Sequence, residues 1–84
     1  MLMRILRKKQ QKEVCQRIVA NAIIAYDLLD ADNTPTDKLI RYTDCIIDNC
    51  AKAVYAVGGL GAMLQAKETM CRHLERNLSR KDEQ

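Results

Sequence analysis

The thiols and the imidazole are the groups of this 84-residue chain best suited to bind a metal or to act as nucleophile and base. They belong to Cys15, Cys45, Cys50, Cys71 and His73. No Cys-x-x-Cys pair occurs, and a helix places Cys45 and Cys50 about 140° apart. Cys71 and His73 are two residues apart, so a helix points them to opposite sides. We therefore predict buried, unreactive cysteines and an exposed histidine, with no metal, no cofactor and no enzymatic activity.

A second group of chemically active residues is a strip of mixed charge at helical spacing. Its members are Arg41, Asp44, Asp48 and Lys52. Residues three and four apart share one face of a helix, so these four side chains form a continuous surface. The strip is either a solvated row of ion pairs, which stabilises a helix little, or a recognition surface for a protein partner. We take it as the candidate protein-interaction site.

A third group is a cluster of positive charge near the amino terminus. Residues 1–17 contain six Arg or Lys against one Glu, whereas residues 18–51 contain six Asp against two Lys or Arg. The cluster is a solvated extension or, alternatively, a nucleic-acid-binding site that contacts phosphates. The residues of that alternative site are Arg4, Arg7, Lys8, Lys9 and Lys12. The few apolar residues before them predict no stable membrane anchoring.

The glycines at positions 58, 59 and 61 suggest a phosphate-binding loop only superficially. No Gly-Lys-Ser/Thr ending follows them, and their spacing is not that of a dinucleotide fingerprint. A helix N-terminus can still bind an anion. A small anionic ligand at a subunit interface is therefore a third, weaker functional alternative.

Apolar residues recur every three or four positions throughout, which predicts helices that must position these groups. The first helix is expected over residues 3–30 and ends at Asn33, which can adopt a left-handed conformation. Thr34 is the expected N-cap of a second helix over residues 35–57, with Asp37 in its first turn. The short connection predicts an antiparallel hairpin.

Glycine destabilises helices, so a break or a sharp kink is expected at Gly58-Gly59, followed by a third helix over residues 60–78. Its predicted inward residues are Leu60, Met63, Leu64, Met70, Cys71, Leu74 and Leu78. If the glycines were helical instead, the two segments would form a rod of about 44 residues, roughly 65 Å long, that needs a partner along its length.

The predicted fold is therefore all-α, a single small three-helix domain over residues 1–84. It has a basic extension at 1–13 and a polar tail at 79–84. Because a core this thin gains stability by burying a further face, we expect a homo-oligomer, most simply a dimer. The reversed order of apolar and basic residues at the start argues against a secretory signal and indicates a cytoplasmic protein. The expected function is a protein-interaction module, namely an adaptor, regulator or inhibitor of a larger assembly.

Overall fold

A computed structural model describes residues 7–83 of the chain, with side chains over 7–79. It contains two helices, α1 (Lys8–Ala31) and α2 (Thr36–Glu83), and no strand within that range. The all-α prediction is confirmed. α1 includes residues 8–13 of the basic extension, and α2 continues through most of the segment predicted as a polar tail. Arg4, part of the alternative nucleic-acid site, lies outside the described residues.

The connection between the helices uses Asn33 as predicted but Thr34 differently. Asn33 has a φ of 58°, the left-handed conformation that ends a helix. The Thr34 hydroxyl donates a hydrogen bond to the carbonyl oxygen of Leu29 at 2.9 Å, so it satisfies a backbone acceptor in the last turn of α1. The prediction that Thr34 caps the second helix is therefore wrong. α2 instead opens with the Leu39 N–H donating to the Pro35 carbonyl oxygen at 2.8 Å.

The predicted interruption of the helix is present at Gly59, but the structure has one kinked helix in place of the predicted second and third helices, because only one residue of the glycine segment leaves helical dihedrals. Gly59 has φ 85° and ψ −170°, whereas Gly58 and Gly61 remain helical. A straight helix of 48 residues would be about 72 Å long. The longest dimension of the molecule is 46 Å, so α2 turns back at Gly59. We call residues 36–58 its first half and residues 60–83 its second half.

Both halves of α2 pack with α1 in one core. The buried cluster contains Cys15 from α1, Cys50, Val54 and Val57 from the first half, and Ala66 and Met70 from the second half. Within this cluster only Val54 has no exposed surface. The straight rod considered from the sequence could not bring Ala66 and Met70 to the same core as Cys15. The kink is therefore what makes a closed core possible.

The second half of α2 faces the core with a different side from the one predicted. Met70 is buried as expected, and Met63 and Leu74 are half-buried. The remaining large residues of the predicted set, and Cys71, are exposed: Leu60, Leu64, Cys71 and Leu78. The small residues Ala62 and Ala66 lie inward in their place.

Close packing of the Cys15 side chain of α1 against Gly58 explains this choice of side. A Cβ atom placed on Gly58 would lie 2.7 Å from the Cβ of Ala62 and 3.1 Å from the Sγ of Cys15. Both distances are shorter than ordinary contact, so there is no space for a side chain at this position. α2 therefore presents a face of small residues to α1, and its larger side chains remain outside. No helix in the described part of the chain has the length and apolar character needed to cross a membrane.

Candidate functional site

A surface groove of about 500 Å³ lies between α1 and the second half of α2. Apolar side chains form its floor: Cys15, Val19, Ile23, Val54, Ala62 and Ala66. Polar side chains form its rim: Lys8, Gln11, Lys12, Gln16, Gln65 and Thr69. The groove thus combines a dry floor with groups that can hydrogen-bond or carry charge, as binding sites typically do.

The groove exists because the α2 wall is built from small residues. Gly58, Ala62 and Ala66 recur every four positions along that wall, so no long side chain fills the space. Opposite them, α1 presents Val19 and Ile23, which remain half-buried. α1 packs closely against α2 where Cys15 meets Gly58, and an open groove remains beside this contact.

The rim of the groove is positively charged at the amino-terminal end of α1. Lys8 and Lys12 lie one helical turn apart and are both exposed. The first turn of α1 contains no acidic residue, so nothing there offsets the positive end of the helix dipole. The N–H of Arg7 donates to the side-chain oxygen of Gln10 at 3.0 Å. The site is therefore suited to an apolar group that carries negative charge.

Two of the five basic residues predicted to contact nucleic acid line this groove, namely Lys8 and Lys12. Arg7 precedes α1, and Lys9 is exposed without contributing to the groove lining. The polar residues Gln16, Gln65 and Thr69 were missed from the sequence, since each of them gains a role only when two segments meet. The four-residue spacing of Gly58, Ala62 and Ala66 is the sequence signal that could have indicated this surface.

The charged strip predicted as an interaction site lies on the outside of the first half of α2. Arg41, Asp44, Asp48 and Lys52 are all exposed. Lys52 Nζ lies 2.9 Å from Asp48 Oδ2, and this hydrogen bond and the carboxylate charge raise the pKa of Lys52. The strip is accessible, but part of its charge is already neutralised within the chain.

The cysteines divide into two buried and two exposed residues, so the prediction that all four are buried is wrong for Cys45 and Cys71. Those two face outward because α2 directs its neighbouring positions, such as Cys50 and Met70, to the core. Burial raises the pKa of the Cys15 thiol, and burial together with the nearby Cys15 raises that of Cys50. Elevated pKa values reduce the thiolate fraction and thus reactivity.

Thiol labelling at neutral pH should separate these groups. Cys45 is expected to react with a small alkylating reagent about tenfold or more faster than Cys15 and Cys50, because the buried thiols lack both access and thiolate character. Peptide mapping by mass spectrometry at successive times gives the rate at each cysteine, and a Cys45→Ser variant should lose the rapid modification at this site alone. Equal rates at Cys15 and Cys45 would contradict the described core.

His73 is half-buried, which corrects the prediction of an exposed histidine. Its Nε2 lies 2.8 Å from Oδ1 of Asp27, and its ring packs edge-on against Tyr26 with centroids 6.1 Å apart. Asn77 Nδ2 lies 3.5 Å from the same Asp27 oxygen. These contacts tie the end of α1 to the second half of α2. The role of His73 in these contacts is structural.

Among the described residues, no cluster of three His, Cys, Asp or Glu side chains could hold a metal ion. Comparison of the chain with protein families, with curated proteins and with solved structures finds no match.

Proposed function

We propose that this protein is a non-enzymatic interaction module that acts as a homo-oligomer and binds a further protein as an adaptor, regulator or inhibitor. The observation that carries the proposal is the apolar surface left outside the core. Within residues 7–79 eight residues are buried, and eight large hydrophobic side chains are exposed. The exposed ones are Ile24, Leu28, Ile40, Tyr42, Tyr55, Leu60, Leu64 and Leu78.

This balance favours assembly over an isolated monomer. The buried set includes the small residues Ala51 and Ala66, so the core of one chain removes little apolar area from water. Each additional Å² of apolar surface buried in an interface contributes roughly 25 cal/mol. A domain of this size commonly obtains its missing stability from a partner or from a second copy. Contiguous apolar surface typically marks protein interactions, and the exposed pairs Ile24 with Leu28 and Leu60 with Leu64 each lie one helical turn apart.

The groove is the surface best suited to the further protein. Its apolar floor would accept one face of an amphipathic segment, and Lys8 and Lys12 would pair with acidic side chains of that segment. The strip of Arg41, Asp44, Asp48 and Lys52 offers charge without an apolar floor, and exposed ion pairs contribute little to affinity. We therefore place the groove before the strip as the partner site.

A second candidate function, binding of nucleic acid through Arg4, Arg7, Lys8, Lys9 and Lys12, is favoured by one observation. The amino-terminal end of α1 carries basic side chains and has no acidic residue in its first turn. This arrangement destabilises the isolated helix, and bound phosphate groups would offset the positive charge. Each phosphate contact would add to the salt dependence of binding.

One experiment tests both candidates: light scattering on a sizing column, with protein purified without nuclease and absorbance followed at 260 and 280 nm. The interaction module is expected to elute at twice its 9.6 kDa chain mass or more, with a low 260/280 ratio. With three Tyr and no Trp, the ratio responds strongly to bound nucleotide. A monomer at all concentrations would contradict the homo-oligomer. A high 260/280 ratio would favour nucleic-acid binding if it falls when salt is added and is lost when the five basic residues are changed to Gln.

A further inference from the structure

The exposed side of the second half of α2 carries a regular pattern that we call the outer stripe. It consists of Leu60, Leu64, Lys67, Cys71, Leu74 and Leu78, spaced alternately by four and three residues. On a helix these positions fall within an arc of about 80°. Alternating spacing of this kind, kept from residue 60 to residue 78, is the pattern of a helix that packs along another helix.

Nothing within residues 7–79 covers this stripe. Leu60, Leu64 and Leu78 have 57%, 56% and 60% of their surface exposed, and Lys67 and Cys71 are exposed as well. Leu74 at its edge is half-buried. The core side of the same segment is already occupied, since Ala62, Ala66 and Met70 face the rest of the chain. The stripe is therefore a separate apolar surface, distinct from the core and from the groove.

The sequence of the stripe is complementary to itself when it is reversed about Cys71. Leu64 and Leu78 lie seven residues on either side of Cys71, and Lys67 and Glu75 lie four residues on either side. In an antiparallel pair of identical helices related by a two-fold axis at Cys71, Leu64 of each copy would face Leu78 of the other. Each Lys67 would then face Glu75 of the other copy, at the flank of the stripe.

The charges favour this antiparallel arrangement over a parallel one. Neither Lys67 nor Glu75 forms an ion pair with any residue between 7 and 79, so both are available across an interface. Glu68, on the same flank as Glu75, is paired with Arg72 within the chain. A parallel pair would bring Lys67 against its own copy and Glu75 against its own copy, which is unfavourable.

We propose that a second copy of this chain packs on the outer stripe as an antiparallel helix pair centred on Cys71. The inference rests on the proposed homo-oligomer and specifies its interface. The interface is isologous, because both copies contribute the same surface and the two helices run antiparallel. An isologous interface closes as a dimer. It leaves the groove between α1 and α2 open in both copies, so that self-association and partner binding use different surfaces.

Charge reversal tests the interface with the full chain. Lys67→Glu is expected to weaken self-association about tenfold, because it replaces two attractive pairs by two repulsive ones. The double variant Lys67→Glu/Glu75→Lys exchanges the charges and should restore the dissociation constant to within about threefold of the original. The matched control Lys38→Glu changes an exposed lysine on the first half of α2 that belongs neither to the groove nor to the charged strip, and it should leave association unchanged. Sedimentation equilibrium gives the constants, and circular dichroism checks folding.

Cross-linking supplies an independent readout in a Cys45→Ser background. A short bifunctional maleimide should join Cys71 of one copy to Cys71 of the other, and Cys71→Ser should abolish the covalent dimer. An oligomer that is insensitive to Lys67→Glu and that yields no cross-link through Cys71 would overturn this interface while leaving the homo-oligomer intact. A chain that remains monomeric at all concentrations would overturn both.

Discussion

Gly59→Ala is expected to lower the free energy of unfolding by about 1–3 kcal/mol, even though no neighbouring atom obstructs a methyl group there. The reason is the backbone. Gly59 has φ 85° and ψ −170°, a combination that residues with a Cβ atom rarely adopt. Because α2 turns back at this residue, the strain acts at the one position on which the closed core depends. Urea denaturation followed by circular dichroism at 222 nm measures the change.

Gly61→Ala is the matched control for this prediction. Gly61 is helical, and no atom outside the local helix lies within 4 Å of a Cβ placed on it. Alanine there should raise the free energy of unfolding by up to about 1 kcal/mol, since it is the better helix former. The two substitutions add the same methyl group two residues apart and are expected to have opposite signs. Equal stabilisation by both would mean that Gly59 is helical in solution and that the kink is absent.

A straightened α2 offers the Gly59→Ala chain another way to relieve its strain. If alanine makes residue 59 helical, the second half of α2 leaves its own α1 and must pack on the α1 of another copy, because its buried residues still require a core. This exchange would produce an elongated, intertwined oligomer, the arrangement considered from the sequence for a continuous rod. X-ray scattering in solution should then show a longest dimension well beyond the 46 Å of the folded chain.

The parts of the fold that follow from local chemistry could be predicted from the sequence. Apolar spacing indicates helices, Asn33 favours the left-handed conformation found there, and glycine destabilises a helix enough to predict an interruption. The number of helices could not be predicted in the same way. Gly58, Gly59 and Gly61 have equal intrinsic preferences, and only tertiary packing determines that Gly59 alone leaves the helix.

The prediction of which face of the second half of α2 is buried was wrong for a related reason. Hydrophobicity alone favours burying Leu60 and Leu64, and the prediction placed both inward. The structure buries Ala66 and half-buries Ala62 instead, because Gly58 leaves space for the Cys15 side chain of α1 to pack directly against α2. The groove results from that contact, and it was therefore not predicted from the sequence either. Its rim joins Lys12 and Gln16 to Gln65, which lie about fifty positions away in the sequence.

Val54→Ala is expected to lower the free energy of unfolding by about 1–3 kcal/mol, through lost apolar burial and the space left behind. Val54 has no exposed surface, and its carbonyl oxygen lies 3.9 Å from the Sγ of Cys15. It belongs to the cluster in which α1 meets both halves of α2. A domain of 84 residues has a total stability of roughly 4–13 kcal/mol, so this loss should shift the urea midpoint clearly.

The neighbouring Tyr55 makes the Val54 experiment a test of which surfaces belong to the core and which to an assembly. Tyr55 is 56% exposed, so Tyr55→Ala should change the stability of one chain by less than about 0.5 kcal/mol. A core effect does not depend on protein concentration, whereas the loss of an interface contact weakens as the protein is diluted and the oligomer dissociates. Val54→Ala should therefore destabilise the chain equally at high and low concentration. A loss below about 0.5 kcal/mol would mean that α1 and the two halves of α2 do not share one core.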